Sequence, residues 1–107
     1  MNFAQYQTEA VKTAAAGLDP FYHAAMIASE AGEVAQLIFH AQYHGEDYTP
    51  EEVVLELGDV LWNMACLCEV LGIDFARVPE ANIAKLRKRH GEAYRAQHYG
   101  RQVEGEA

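Results

Sequence analysis

Residues 28–35 read ASEAGEVA and residues 54–61 read VLELGDVL. Each stretch sets two carboxylates three residues apart in an otherwise apolar setting, Glu30 with Glu33 and Glu56 with Asp59. On a helix, positions three and four apart share a face. The stripe through Glu30 then carries Met26, Ile27, Val34 and Leu37, and the stripe through Glu56 carries Val53, Val60, Asn63 and Leu67. Glu33 and Asp59 fall at the edges of these stripes. Acids so placed lie on or beside faces that should pack. Burying unpaired charge costs on the order of several kcal/mol per group unless the group protonates or binds a cation. A hard divalent cation removes the penalty, and Mg²⁺ prefers oxygen ligands while keeping several waters. The alternative is a rotation of the helices that leaves the acids solvated.

The elements that must position these acids are punctuated in the sequence. A first helix is expected from about Asn2 to Ala16, with Phe3, Tyr6, Ala10 and Val11 on one side and Gly17 as its stop. Asp19 then offers an N-cap with Pro20 at the first helical position, opening a long helix to about Tyr43 that ends near Gly45. The stretch TPEE repeats the device: Thr49 caps, Pro50 starts, and Glu52 completes a capping box for a helix to about Leu71. Asp74 opens a last helical stretch, broken or bent near Pro79 and running to Gly91. Two long helices joined by a short loop make an antiparallel hairpin. Glu33 and Glu56 lie roughly 13 and 9 residues from the loop, on the order of 15–20 Å along each helix, so the two acid pairs can face each other.

The gross numbers narrow the function. At 107 residues there is room for one domain, and a helical domain of this size buries a modest core, so oligomerisation is a reasonable expectation. Sixteen acids against eight bases give a net charge of -8, which argues against nucleic-acid or anionic-membrane binding and suits a cation-binding protein. Five of the bases, Arg77, Lys85, Arg87, Lys88 and Arg89, gather within thirteen residues. Cys66 and Cys68 sit two apart on a helix and point to different sides, neither a CxxC pair nor a disulfide framework. The N-terminus MNFAQYQTEAVKTAAA lacks a signal-peptide core, and no apolar run approaches eighteen residues, so a cytoplasmic protein is expected.

The set EAGEV, then ELGDVLW after 22 intervening residues, then ANIAKLRKRH resembles the MazG-like all-α nucleoside triphosphate pyrophosphohydrolases. The opening FAQYQTEAVKTA also fits, so the resemblance spans about residues 3–90. ExxE alone is weak; the ordered set of ExxE, ELGDVLW and NxxKLxxR is strong. The resemblance implies hydrolysis of a nucleoside triphosphate to the monophosphate and pyrophosphate with Mg²⁺, for which Mn²⁺ would substitute. Carried over by position, Glu30, Glu33, Glu56 and Asp59 would hold the metal and serve catalysis. Asn82, Lys85 and Arg89 would contact the substrate phosphates. It also implies a homodimer or homotetramer whose paired hairpins form a four-helix-bundle-type core. The expected architecture is therefore an all-α domain over residues 1–92 followed by a C-terminal tail over 93–107. Larger members carry a second Glu directly before the ExxE where this chain has Ser29, so the general base stays open among the four acids.

The bare chemistry agrees. Phosphoryl transfer needs positioning and charge neutralisation more than covalent chemistry. Lys85 and Arg89, four apart, would supply a cationic partner for phosphate oxygens; otherwise they are a solvated basic helix end. Asn63, one turn beyond Asp59, is a further candidate for ordering a metal water or touching substrate, or else a hydrogen-bonded Asn setting helix register. Trp62, with Tyr6, Phe21 and Tyr22, could stack on a base, although aromatics in a small bundle are more often core. His40 and His44 form an i, i+4 pair with no third ligand evident, and histidines suit a helix C-terminus. A di-iron carboxylate bundle would need ExxH motifs, and neither acid pair has one. A non-catalytic metal-binding or interaction bundle is the remaining alternative. Nothing in the sequence names the base, though the compact chain suggests a broad or small-pyrimidine house-cleaning role.

Overall fold

The computed structural model describes residues 1–14 and 17–93, and contains four helices and no strand among them. The chain divides into two compact units, Met1–Phe75 and Ala76–Ala107. The first holds α1 (Phe3–Val11), α2 (Pro20–His44) and α3 (Pro50–Val70), with α2 and α1 both packed on α3. The second holds α4 (Arg77–Ala93).

The helix starts follow the local chemistry. The Asp19 carboxylate accepts from the Tyr22 N–H at 2.9 Å, and Pro20 follows it at the first helical position. Thr49 and Glu52 form the reciprocal capping box, with the Glu52 carboxylate accepting the Thr49 N–H at 2.7 Å. A second capping box opens α1, where Asn2 and Gln5 exchange side-chain-to-backbone bonds of 2.8 Å each. Gly45 closes α2 in the left-handed conformation, φ 71°, and its N–H donates to the His40 carbonyl; only glycine reaches that conformation without cost.

Two ends depart from expectation. The first helix stops at Val11 rather than Ala16, and residues 15 and 16 lie outside the described residues. The Thr13 hydroxyl donates to the Ala10 carbonyl at 2.7 Å, and the Trp62 indole N–H reaches Thr13 Oγ1 at 2.8 Å and the Ala10 carbonyl at 3.2 Å. The Ala10 carbonyl is thus shared by the Thr13 N–H and hydroxyl of the closing turn and by the Trp62 indole from α3. The break or bend expected at Pro79 is not found, and the last helix starts at Arg77 rather than Asp74. Pro79 falls in the first turn of α4, where its missing N–H has no intrahelical partner to lose, and the only non-helical residue inside α4 is Gly91 at φ 56°, ψ -136°.

The core of the first unit is small. Ala10, Ala65, Cys68 and Phe75 form it, with Tyr6, Leu61, Trp62 and Met64 packed around them. Gln7 is buried and ties the end of this unit down: its amide donates to the Ile73 carbonyl at 2.9 Å and accepts the Phe75 N–H at 2.8 Å. Cys66 and Cys68 are both buried free thiols, and burial pushes both toward the protonated form, with the Glu69 charge adding to it at Cys66. No helix among the described residues is long and apolar enough to cross a membrane.

Candidate functional site

The stripes read from the sequence are those that pack. Met26, Ile27, Val34 and Leu37 on α2 are half-buried, as are Val53, Val60 and Leu67 on α3, while Val54, Leu55 and Leu57 face outward. That rotation carries Glu30 and Glu56 into half-buried positions and leaves Glu33 and Asp59 exposed beside them.

Across the α2–α3 interface, Glu30, Glu33 and Glu56 converge: one carboxylate oxygen of each lies within 4.8 Å of the others, close enough to share one cation. Asp59 is not in that group of three, yet its charge is felt at both Glu30 and Glu56. The Oε1 atom of Glu56 is buried without a hydrogen-bond partner. A carboxylate oxygen enclosed by protein, with no donor and beside other carboxylates, fits a cation as its missing partner. The donor set is all oxygen, which suits Mg²⁺ or Mn²⁺ rather than a soft metal.

The electrostatics carry the signature of that crowding. Glu30 is raised above the ordinary glutamate value of 4.5, first by desolvation and then by the charges of Glu33, Asp59 and Glu56. Glu56 is raised by desolvation first and by Glu33 and Asp59 next. Both groups hold a proton more tightly folded than unfolded, so the stability they add is full below about pH 4.5 and is lost as pH rises through their raised folded values. Metal-free protein is therefore expected to melt at a progressively lower temperature as pH rises above about 4.5. Saturating Mg²⁺ is expected to flatten or reverse that slope, because the cation competes with protons for the same oxygens. Thermal unfolding across this range with chelator and with Mg²⁺ checks it, and a Glu30→Gln, Glu56→Gln double variant should lose the slope.

The other sequence candidates are distributed unevenly. Asn63 is buried on α3, and both ends of its amide have protein partners: Nδ2 donates to the Asp59 carbonyl at 3.1 Å, and Oδ1 lies 2.9 Å from His23 Nδ1. Asn82, Lys85 and Arg89 are exposed on α4, in the second unit. His40 and His44 approach to 2.9 Å through their Nδ1 atoms and lean on Phe39, and no third potential ligand joins them among the described residues. Trp62 spends its N–H on α1 and belongs to the packed core.

Sequence reasoning missed His23, which is only 2 % exposed and sits edge-to-face against Trp62 and Tyr22. The signal was available: His23 extends the Met26, Ile27 and Glu30 stripe by one turn, a polar residue on a packing face like the acids themselves.

Comparison with known proteins adds the following. A family model described as the MazG nucleotide pyrophosphohydrolase domain matches residues 22–93, a span that contains the carboxylate cluster and α4. The chain is 32% identical over 80 residues to the uncharacterized protein YvdC of Bacillus subtilis (strain 168), covering 65% of this chain and 74% of that protein. No solved structure gives a significant match.

Proposed function

The chain belongs to the MazG nucleotide pyrophosphohydrolase family, and on that premise we propose that it hydrolyses a nucleoside triphosphate to the monophosphate and pyrophosphate with Mg²⁺, in nucleotide-pool house-cleaning. The observation that carries this reading is the convergence of Glu30, Glu33 and Glu56 within 4.8 Å around an orphaned Glu56 oxygen. Families of this kind depend on divalent metal, and here Glu30, Glu33 and Glu56, with Asp59 beside them, would hold it. When bound, the cation neutralises charge at the phosphate oxygens and acidifies water.

The chain's own residues do the rest. The helical hairpin fixes the acids on two rigid elements, so the triphosphate is oriented with little reorganisation. A carboxylate of the four not fully committed to metal accepts the proton of the water that attacks the α-phosphorus, and the α–β anhydride breaks to release pyrophosphate. Lys85 and Arg89, with Asn82, are proposed to contact triphosphate oxygens from α4, where a guanidinium and an ammonium offer charge-assisted donors. The exposed Val54, Leu55 and Leu57 on α3 and Phe39 and Tyr43 on α2 support a homodimer or homotetramer that covers these faces, and a cytoplasmic location is part of the proposal.

The test is a panel of canonical and damaged ribo- and deoxyribonucleoside triphosphates with Mg²⁺ or Mn²⁺, read by pyrophosphate release from folded protein. Metal-dependent release with at least one nucleotide is expected. Silence across the panel, with folding verified, ends the proposal.

A further inference from the structure

At the C-terminal end of α2, His40 and His44 turn their Nδ1 atoms toward each other across 2.9 Å. Positions four apart on a helix share a face, so the backbone brings the two rings together. The Phe39 ring meets both imidazoles edge-to-face, with centroids 5.7 Å from His40 and 5.3 Å from His44. The turn that carries them is closed, because the His40 carbonyl accepts the N–H groups of both Gly45 and Glu46. His40 is half-buried and His44 is exposed, so the pair is open to water.

Two ring nitrogens this close cannot both carry a hydrogen, so one Nδ1 donates and the other presents a lone pair. Exchange with water moves the donor's hydrogen to Nε2 of its own ring, and both Nδ1 lone pairs then converge on one point. The spacing is that of a chelate. Two metal–nitrogen bonds of about 2.0–2.1 Å meeting at a right angle put the nitrogens about 2.9 Å apart, whereas a tetrahedral angle puts them about 3.3 Å apart. A right-angled pair of imidazoles belongs to square-planar or tetragonal coordination, the preference of Cu²⁺ and Ni²⁺.

The pair stands apart from the acids in chemistry and in place. The carboxylate cluster is all oxygen and suits hard cations. Glu33, its member nearest along α2, precedes His40 by seven residues, about 10 Å along the helix axis. No third His, Cys, Asp or Glu atom joins the two histidines among the described residues, so water completes the coordination.

We propose that His40 and His44 form a second cation site, a two-nitrogen chelate for Cu²⁺ or Ni²⁺, independent of the carboxylate cluster and of the nucleotide reading. A metal bound there fastens the last turn of α2 where the chain enters the α2–α3 loop. Phe39 is a positioning residue of this site, since its ring holds both imidazoles without offering a ligand of its own.

The full chain is titrated with Cu²⁺ in a large excess of Mg²⁺, which competes for the carboxylates, and binding is read by calorimetry and by the visible absorption of the copper–imidazole centre. The tightest step is expected to take one Cu²⁺ per chain. In the wild type, substoichiometric Cu²⁺ should broaden the backbone amide resonances of residues 39–45 before those around Glu30 and Glu56, a measurement that needs no variant. His40→Ala and His44→Ala should each weaken the tight step by at least about tenfold, because a single imidazole loses the intramolecular gain of the second. Phe39→Leu keeps both ligands and should weaken the step by about threefold or more. The site is overturned if no saturable step of one Cu²⁺ per chain is found, if broadening begins at the acids or at another histidine, or if the tight step survives in His44→Ala. An unchanged affinity in Phe39→Leu overturns the positioning role. None of these readouts uses pyrophosphate release, so failure here and failure of the enzymatic reading are told apart.

Discussion

Glu56→Gln is expected to lower pyrophosphate release by about two to three orders of magnitude while raising the melting temperature of the metal-free protein. The two effects have opposite signs for one physical reason. Glu56 is half-buried, its Oε1 has no hydrogen-bond partner, and Glu33 and Asp59 crowd it. Without metal, the negative charge at this position is an unrelieved cost, and a glutamine of the same shape removes it along with the repulsion. With metal and substrate, that same charge is what the site needs, and an amide supplies a neutral and weaker ligand oxygen. The increment in melting temperature produced by Mg²⁺ in the wild type should therefore vanish in the variant. A structural carboxylate with no metal role would give a different pattern, namely unchanged Mg²⁺ dependence and activity within about tenfold of wild type. Pyrophosphate assays and thermal unfolding, each with Mg²⁺ and with chelator, separate the two.

The parts of this fold that were legible in the sequence are those governed by contacts within a turn or two. The pairs Glu30/Glu33 and Glu56/Asp59 announced themselves because helical periodicity alone sets them on the stripes of Met26, Val34, Val53 and Val60, which are half-buried. Asp19 with Pro20, and Thr49 with Glu52, were readable because capping is decided within four residues. The misses were set by distant partners. The first helix ends at Val11, and the Ala10 carbonyl there also takes the indole N–H of Trp62, 52 residues away. Gln7 drew no notice in the sequence, and only the return of the chain at Ile73 and Phe75 makes it a buried bridge. His23 was passed over for a similar reason, since its partner Asn63 lies 40 residues on. In both cases the clue was a polar residue on an apolar stripe, the same clue that was followed for the acids. Pro79 was over-read, because a proline breaks a helix only beyond its first turn, and where α4 begins is not fixed by residues 74–79 alone.

Phe75→Ala is expected to be the most destabilising single change in the first unit, at about 3–5 kcal/mol. Phe75 is fully buried, meets Phe3 edge-to-face at 5.0 Å and Tyr6 at 6.4 Å, and closes a core of only four buried side chains. A core that small has few other side chains to relax into the cavity, so the loss should fall toward the upper end of that range. Domains of this size have total stabilities on the order of 5–15 kcal/mol, so that loss is a large share of what holds the first unit folded. Phe75→Leu keeps most of the volume and leaves the Gln7 bond to the backbone N–H untouched, and should cost less than half as much. Denaturant unfolding followed by the fluorescence of Trp62, which packs against this core, measures both. Leu55→Ala makes the control informative: at 63% exposure in the single chain it should cost within about 0.5 kcal/mol. A larger, concentration-dependent cost at Leu55 would mean that a second copy of the chain covers α3. A cost under about 1 kcal/mol at Phe75 would mean that the stability of this hairpin comes from elsewhere than its own core.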